Sequence, residues 1–256
     1  MIELINKAYL TKELCPSGLR ECFVFDTVDS TNTVAKRKAL GGTDTPFLVL
    51  ADSQTSGRGR MGRSFYSPSR TGLYMSLAVE ITGGLPETVG ITSAAAVAVV
   101  RAIRRICGIE TGIKWVNDIY LDRKKIAGIL TESFFEGDRL FTIVGIGINL
   151  STESFPEDIK NIAGSLDADP SLKGALACEI CKELLTLIPT VKNGEFMNDY
   201  RKHSIVLGKK VIFKENGALY RGTAQSISDD GALTVLLEDG ELHILASGEI
   251  SLRTEE

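Results

Sequence analysis

Residues 125–149 read Lys125-Ile-Ala-Gly-Ile-Leu-Thr-Glu-Ser-Phe-Phe-Glu-Gly-Asp-Arg-Leu-Phe-Thr-Ile-Val-Gly-Ile-Gly-Ile-Asn149. The apolar runs Lys125–Phe135 and Leu140–Asn149 predict two consecutive strands, with Glu136-Gly137-Asp138 as the turn between them. Gly145 and Gly147 stand at alternate positions, so they face one side of the second strand. Two absent side chains there leave room for a flat ligand ring or a closely approaching backbone. The stretch is not a dinucleotide fingerprint, because the third glycine of G-x-G-x-x-G falls on Leu150.

Upstream of this pair, strand-like runs alternate with helical ones. Cys22–Phe25, Phe47–Ala51, Leu73–Ile81, Ile113–Trp115 and Ile119–Leu121 predict strands. Helices are predicted over Thr33–Leu40, opened by Ser30-Thr31-Asn32 and ended by Gly41-Gly42, over Thr88–Cys107, and over Leu172–Leu187, closed by Pro189. The architecture expected is α+β, a mixed β-sheet with flanking helices. From Leu207 the strands become short: Val211–Lys214, Leu219–Ile227, Ala232–Leu237, Leu242–Leu245 and Glu249–Leu252. Asn216-Gly217, Asp230-Gly231 and Asp239-Gly240 are hairpin signals between them. They predict a small SH3-like β-barrel and two domains, 1–204 and 205–256.

Composition narrows the classes. The 256 residues are 43% hydrophobic and 24% charged, which excludes disorder, collagen and coiled coil. A net charge of −4 argues against coating DNA by bulk charge, so any anion site must be local. The first residues, MIELINKAYLTKEL, lack the apolar core and cleavage site of a signal peptide. Ile91–Val100, the longest apolar-leaning stretch, is about half of a membrane span and is followed by Arg101, Arg104 and Arg105. The five scattered cysteines point to a reducing cytoplasm. Cys178-x-x-Cys181 lies in a helical stretch with no second Cys pair or nearby His pair, so a structural role is expected rather than zinc or redox chemistry.

Three segments carry candidate chemistry. Residues 53–68 hold Gly57, Arg58, Gly59, Arg60, Gly62 and Arg63 with no acidic residue. Glycine lets a backbone approach a ligand, and the guanidinium fork suits phosphate and carboxylate. An anion site and a solvated or nucleic-acid-binding arginine loop both fit; a P-loop does not, because G-x-x-x-x-G-K-[ST] is missing. In Lys114-Trp-Val-Asn-Asp118, an amide and a carboxylate crowd a short break between strands. They could orient a nucleophile or hold Mg²⁺. Lys125, entering an apolar strand, could neutralise a ligand carboxylate or simply snorkel at the strand end. The lone Trp115 is expected in the core.

Taken in order, Asp29-Ser-Thr-Asn32, Gln54…Gly57-Arg-Gly-Arg-x-Gly-Arg63, Lys114-Trp-x-Asn-Asp118, Lys125-x-Ala-Gly128, Gly145-x-Gly-x-Asn149 and Gly248-Glu-Ile-Ser-Leu-Arg253 resemble the motifs of biotin protein ligases. The resemblance covers residues 21–253. It implies a class II synthetase-like catalytic domain that converts biotin and MgATP to biotinyl-5′-AMP and pyrophosphate. The biotinyl group then passes to a lysine of a biotin carboxyl carrier protein, as in acetyl-CoA carboxylase. By the same resemblance, Ser30, Thr31, Gln54, Gly57, Arg58, Lys125, Gly128, Gly145 and Gly147 would hold biotin. Arg60, Arg63, Lys114, Asn117, Asn149 and Arg253 would hold the nucleotide. Lys125, Asp118 and Arg60 would be catalytic, with Asp118 orienting the acceptor lysine, and no protein-bound metal site is implied.

The chain departs from that pattern at four places. Val116 stands where proline is usual, and an extended backbone is expected to persist. Met61 replaces a further arginine, and Phe65 replaces a tryptophan as a packing change. Asn161-Ile-Ala-Gly-Ser-Leu166 lacks the aromatic residue that stacks on adenine in some members. Roughly 20 residues precede the first core strand, too few for a three-helix DNA-binding unit. A monofunctional cytoplasmic ligase is therefore expected, monomeric or weakly dimeric, without DNA or membrane binding. The nearest alternative is a lipoate-type ligase, against which the Gly-Arg-Gly-Arg loop and the small barrel stand. A nucleic-acid-binding module fits the acidic balance poorly.

Overall fold

A computed structural model describes residues 6–82, 84–88, 90–246 and 250–252. The predicted Gly248, Glu249 and Arg253 lie outside the described residues. Helix α1 (Lys7–Leu14) is capped by Asn6, whose side chain accepts from Tyr9 N, and it buries Leu10 and Leu14. Then follow β1 (Glu21–Val28), α2 (Thr31–Leu40), β2 (Phe47–Gln54), β3 (Gly72–Ile81), α3 (Ile91–Cys107), β4 (Gly112–Lys114), β5 (Asp118–Leu121), β6 (Lys124–Glu136), β7 (Arg139–Asn149), α4 (Lys173–Leu187) and α5 (Met197–His203).

The strands from β1 to β7 form one seven-stranded sheet in the order β1-β2-β3-β7-β6-β5-β4. Only the β1–β2 pairing is parallel, so the sheet is mixed as expected. The hairpin β6–β7 is its longest ladder with β3–β7, running from Glu136↔Arg139 to Ala127↔Ile148.

Strand β2 shows why its apolar run is unbroken. Leu48 and Leu50 enter the core under α3 and α4, while Phe47 and Val49 pack beneath α2 with Val34, Ala35 and Ala39. A strand covered on both faces has no polar side to alternate.

Some expected boundaries shift. Helix α3 begins at Ile91, after Gly90 at φ 86°, and Leu85–Thr88 is a separate 3₁₀ turn. Pro189 does not stop the chain's helical course. Helix α4 ends at Leu187 and a 3₁₀ segment, Ile188–Asn193, carries the proline in its first turn, where its missing N–H costs nothing. Helices α1 and α5 are too short and polar to stand out by periodicity. The Trp115–Val116 and Thr45–Pro46 peptides are cis. Val116 lies in a turn rather than in the extended backbone expected there.

The C-terminal strands β8 (Lys210–Glu215), β9 (Ala218–Ile227), β10 (Leu233–Leu237), β11 (Leu242–Leu245) and β12 (Ile250–Leu252) form an antiparallel sheet in the order β11-β10-β9-β8-β12. It curls until Phe213 on β8 and His243 on β11 have ring centroids 5.1 Å apart. Val211, Phe213, Ala224, Leu233 and Val235 belong to the same buried core as residues of α3 and α5. Trp115 is 3% exposed, and its Nε1 donates to Gly231 O of the barrel at 2.8 Å.

Cys178 and Cys181 are buried on α4. Burial pushes the Cys178 thiol up to about 11, which suits a core residue rather than a thiolate nucleophile. No helix of the described residues is long and apolar enough to cross a membrane.

Candidate active site

Two cavities meet over the β5–β6–β7 end of the sheet. The first lies between the N-terminus of α2, the 54–70 loop and strands β6 and β7. Thr31 N donates to Gln54 Oε1 at 2.8 Å, and Gln54 Nε2 donates to Ser67 Oγ at 2.8 Å. Ser30 is the N-cap residue of α2, but its hydroxyl makes no capping bond, which leaves it available to the cavity it lines. The predicted Arg58, Arg60, Lys125, Gly128, Gly145 and Gly147 line the same space. Gly57 does not. Its carbonyl accepts from Phe65 N at 2.8 Å, and a Cβ there would collide with Phe65 O. It is where the loop folds against itself.

The glycines on β7 make room for protein rather than for an empty slot. A Cβ on Gly145 would overlap the Asn32 side chain, and one on Gly147 would overlap the Phe65 ring. The space left is about 40 Å³, enough for one water but not for a fused ring system. A fused ring system enters only if the Phe65 ring leaves the space over Gly147.

The second cavity, about 380 Å³, adjoins the first through Phe65, Asn117 and Lys125. Lys125 sits at the junction because of two local features. The β5–β6 register shifts between Ile119 and Tyr120, placing Asp118 opposite Gly128. Gly128 in turn lets the Lys125 side chain fold over it, with Cε 3.2 Å from where a Cβ would stand. Lys125 Nζ thus reaches Asp118 Oδ1 at 2.6 Å. It is not a snorkelling strand-end lysine.

Arg60 donates to Asn117 Oδ1 at 3.0 Å, and Asn117 Nδ2 donates to Ile129 O at 2.8 Å. Arg63, Lys114 and Asn149 line the second cavity. Lys114 Nζ lies 3.4 Å from Tyr120 OH. Asn149 Nδ2 donates to Gly164 O at 2.9 Å, while its buried Oδ1 has no hydrogen-bond partner among the described residues. The opposite wall is apolar. Tyr66 and Phe155 have ring centroids 6.2 Å apart, with Ile159 and Ile162 beside them.

Several contributors escaped the sequence reading. Phe65 roofs the first cavity, although only a packing role was expected. Asn32 was read as part of a helix start, yet its side chain enters the site. Glu132 accepts two bonds from Arg58, at 3.1 and 2.8 Å. Its position two and four residues beyond Leu130 and Gly128 was the available signal that it shares their face. Tyr200 on α5 had no signal. Its hydroxyl donates to Val116 O at 3.0 Å and props the turn carrying Asn117 and Asp118. Burial, with Asp118 nearby, pushes its phenol well up, so it stays a neutral donor.

Fold and site together define a class: an α+β domain in which two ligand cavities share one cationic junction under an arginine-rich loop, followed by a small barrel. Comparison with known proteins is specific. Residues 24–149 match the Biotin/lipoate A/B protein ligase family, and residues 206–253 match the Biotin protein ligase C terminal domain. The bifunctional ligase/repressor BirA of Bacillus spizizenii is 35% identical over 226 residues, 84% of this chain and 69% of that protein. The biotin–[acetyl-CoA-carboxylase] ligase of Mycobacterium tuberculosis is 30% identical over 246 residues, 91% of this chain and 90% of its own length. The Aquifex aeolicus biotin protein ligase in complex with biotin and ATP superposes with a TM-score of 0.77 at 28% identity, over 93% of this chain and 100% of that one. The chain belongs to the biotin protein ligases of the biotin/lipoate A/B protein ligase family.

Proposed function

We propose that this protein activates biotin with ATP as biotinyl-5′-AMP, releasing pyrophosphate, and transfers the biotinyl group to one lysine of a biotin carboxyl carrier protein. The observation that carries the reading is the Lys125–Asp118 pair at the junction of the two cavities. Adenylation brings a carboxylate and an α-phosphate together, and a cation between them offsets their repulsion and the charge that grows on phosphorus. Lys125 is the group placed for this.

Biotin's ring system takes the first cavity, with Ser30, Thr31 and Gln54 offering polar atoms, once Phe65 lifts. The nucleotide takes the second. Lys114 and Arg63 face its phosphates, and Arg60 exchanges Asn117 for phosphate oxygen. The unpartnered Asn149 Oδ1 accepts from the adenine amino group, and adenine rests against Tyr66 and Phe155. This pair supplies the aromatic shelf that 161–166 lacks. Arg253 would complete the nucleotide site from the second domain, within the division 1–204 and 205–256.

Among the described residues no group of three His, Cys, Asp or Glu could hold a metal. Mg²⁺ enters with the triphosphate as MgATP, in keeping with its habit of binding through phosphate and few carboxylates. The reading further includes a cytoplasmic enzyme, monomeric or weakly dimeric, that binds neither DNA nor membrane.

In the second step the acceptor amine attacks the acyl carbon, AMP leaves, and the amine proton is lost. Asp118 is placed to orient that amine and relieve it of the proton. Asp118→Ala is expected to lower carrier biotinylation by about 10²-fold. Biotin-dependent pyrophosphate exchange should fall by less than about tenfold, because Lys125 remains. Mass spectrometry of a carrier domain incubated with protein, biotin and MgATP, alongside exchange rates, measures both. Equal losses in the two half-reactions would remove the special role of Asp118, and an unmodified carrier with the unaltered protein would overturn the ligase reading.

A further inference from the structure

The geometry points to Glu132 as a positioning residue: its carboxylate is the catch that holds Arg58, and with it the arginine loop, closed over the first cavity. The inference deepens the ligase reading above and rests on it for what the closed loop retains.

The loop is a preformed hairpin. Arg58 and Ser64 form an antiparallel bridge, Gly59 N donates to Arg63 O at 2.7 Å, and Phe65 N donates to Gly57 O at 2.8 Å. Segments bonded to themselves in this way move as units, so their position depends on where they are tied to the rest of the domain. One tie, Arg60 to Asn117, is made by a side chain that the nucleotide phosphates would claim. The tie at Arg58 is of another kind. Both terminal nitrogens of the guanidinium engage both oxygens of Glu132, the fork-to-fork arrangement that fixes orientation as well as distance.

The catch is itself anchored in the cavity wall. Glu132 Oε2 accepts from Asn32 Nδ2 at 2.8 Å, and Asn32 Oδ1 lies 2.6 Å from the buried Ser76 Oγ. Asn32 also occupies the space left by Gly145. One carboxylate therefore joins the moving hairpin to the fixed wall of the biotin cavity. The Arg58 guanidinium is committed at the rim, and the Lys125 ammonium is left at the junction to meet the carboxylate. Arg58 acts as a latch, not as an anion receptor.

The pair is half-exposed on the arginine side, with side-chain exposures of 48% and 30%, so its strength is modest and sensitive to salt. Glu132→Gln keeps the volume and an acceptor for Asn32 but loses the charge and the fork. It is expected to release bound adenylate roughly fivefold faster, as a bidentate but partly exposed pair allows. Raising salt from about 0.05 to 0.5 M should speed release from the unaltered protein toward the variant and leave the variant nearly unchanged.

Arg58→Gln and the double variant complete a cycle in which the second substitution should add little once the first is made. A ligand-free readout is independent of the ligase reading: trypsin should cut the 57–63 loop of Glu132→Gln several-fold faster, at an unchanged urea midpoint. Unchanged release and unchanged cleavage, or effects of the two substitutions that simply multiply, would overturn the latch. Absence of any adenylate on the unaltered protein would instead overturn the ligase reading and the retention half of this inference, while the trypsin comparison would still decide the latch itself.

Discussion

Lys125→Ala is expected to lower biotin-dependent ATP–pyrophosphate exchange by about 10²–10³-fold or more, the scale seen when one preorganised electrostatic contact to a transition state is lost. Two effects act in the same direction. On the proposed reading, the ammonium that would face both incoming anions disappears. Asp118, whose Oδ1 it meets at 2.6 Å, is left as an uncompensated carboxylate beside the same anions. The loss should fall mainly on the rate at saturating ligand, because the contact strengthens as charge develops on phosphorus. Lys125→Arg should not restore it. The side chain folds over Gly128 in a space fitted to a slim aliphatic stem, and a planar guanidinium cannot take the same path to Asp118. Exchange measured for the three proteins at saturating biotin and MgATP checks this. An alanine variant retaining more than about a tenth of the activity would place the activating charge elsewhere.

Asp52→Ala is expected to destabilise the protein by about 3 kcal/mol, among the largest effects of any substitution outside the core. Lys173 is fully buried at the first position of α4, and its Nζ meets Asp52 Oδ1 at 3.0 Å. A positive charge at a helix N-terminus is unfavourable even before burial, so the ammonium depends on that carboxylate. Asp52 Oδ2 also accepts from Arg70 N at 3.0 Å, where the chain leaves the arginine loop at φ 69°. Removing the carboxylate strands the buried ammonium and takes a partner from an amide that water can reach. The lower end of the usual range applies because Asp52 is 28% exposed on its side chain and water can partly replace it. Lys173→Met in the same chain should recover most of the loss, since the charge is then gone. Urea denaturation of the single and double variants measures both, and a single variant within about 0.5 kcal/mol of the unaltered protein would contradict the account.

The β6–β7 hairpin was legible because its apolar runs and its Glu-Gly-Asp turn agree at the local level, and the short C-terminal strands announced themselves through their Asn-Gly and Asp-Gly turns. The cationic residues of the site were legible as ordered motifs. What they touch was not. Nothing near Phe65 in sequence says that its ring fills the space of Gly147, because that contact depends on the path of a loop across the sheet. Glu132 reads as an unremarkable strand residue until Arg58 is placed opposite it. An aromatic residue for the second cavity was sought within 161–166, yet its aromatic side chains Tyr66 and Phe155 come from two other segments far apart in the chain, beside Ile159 and Ile162. Tyr200 supports the turn at Val116 from a seven-residue helix too short to show a period.

The most direct measurement is ATP–pyrophosphate exchange by the purified protein with Mg²⁺ and, in parallel, biotin, lipoate or no acid. Exchange that appears with biotin and is absent with lipoate and without acid is the predicted result. Exchange supported by lipoate in preference to biotin, or none with either acid, would contradict the assignment of the two cavities and of Lys125 between them.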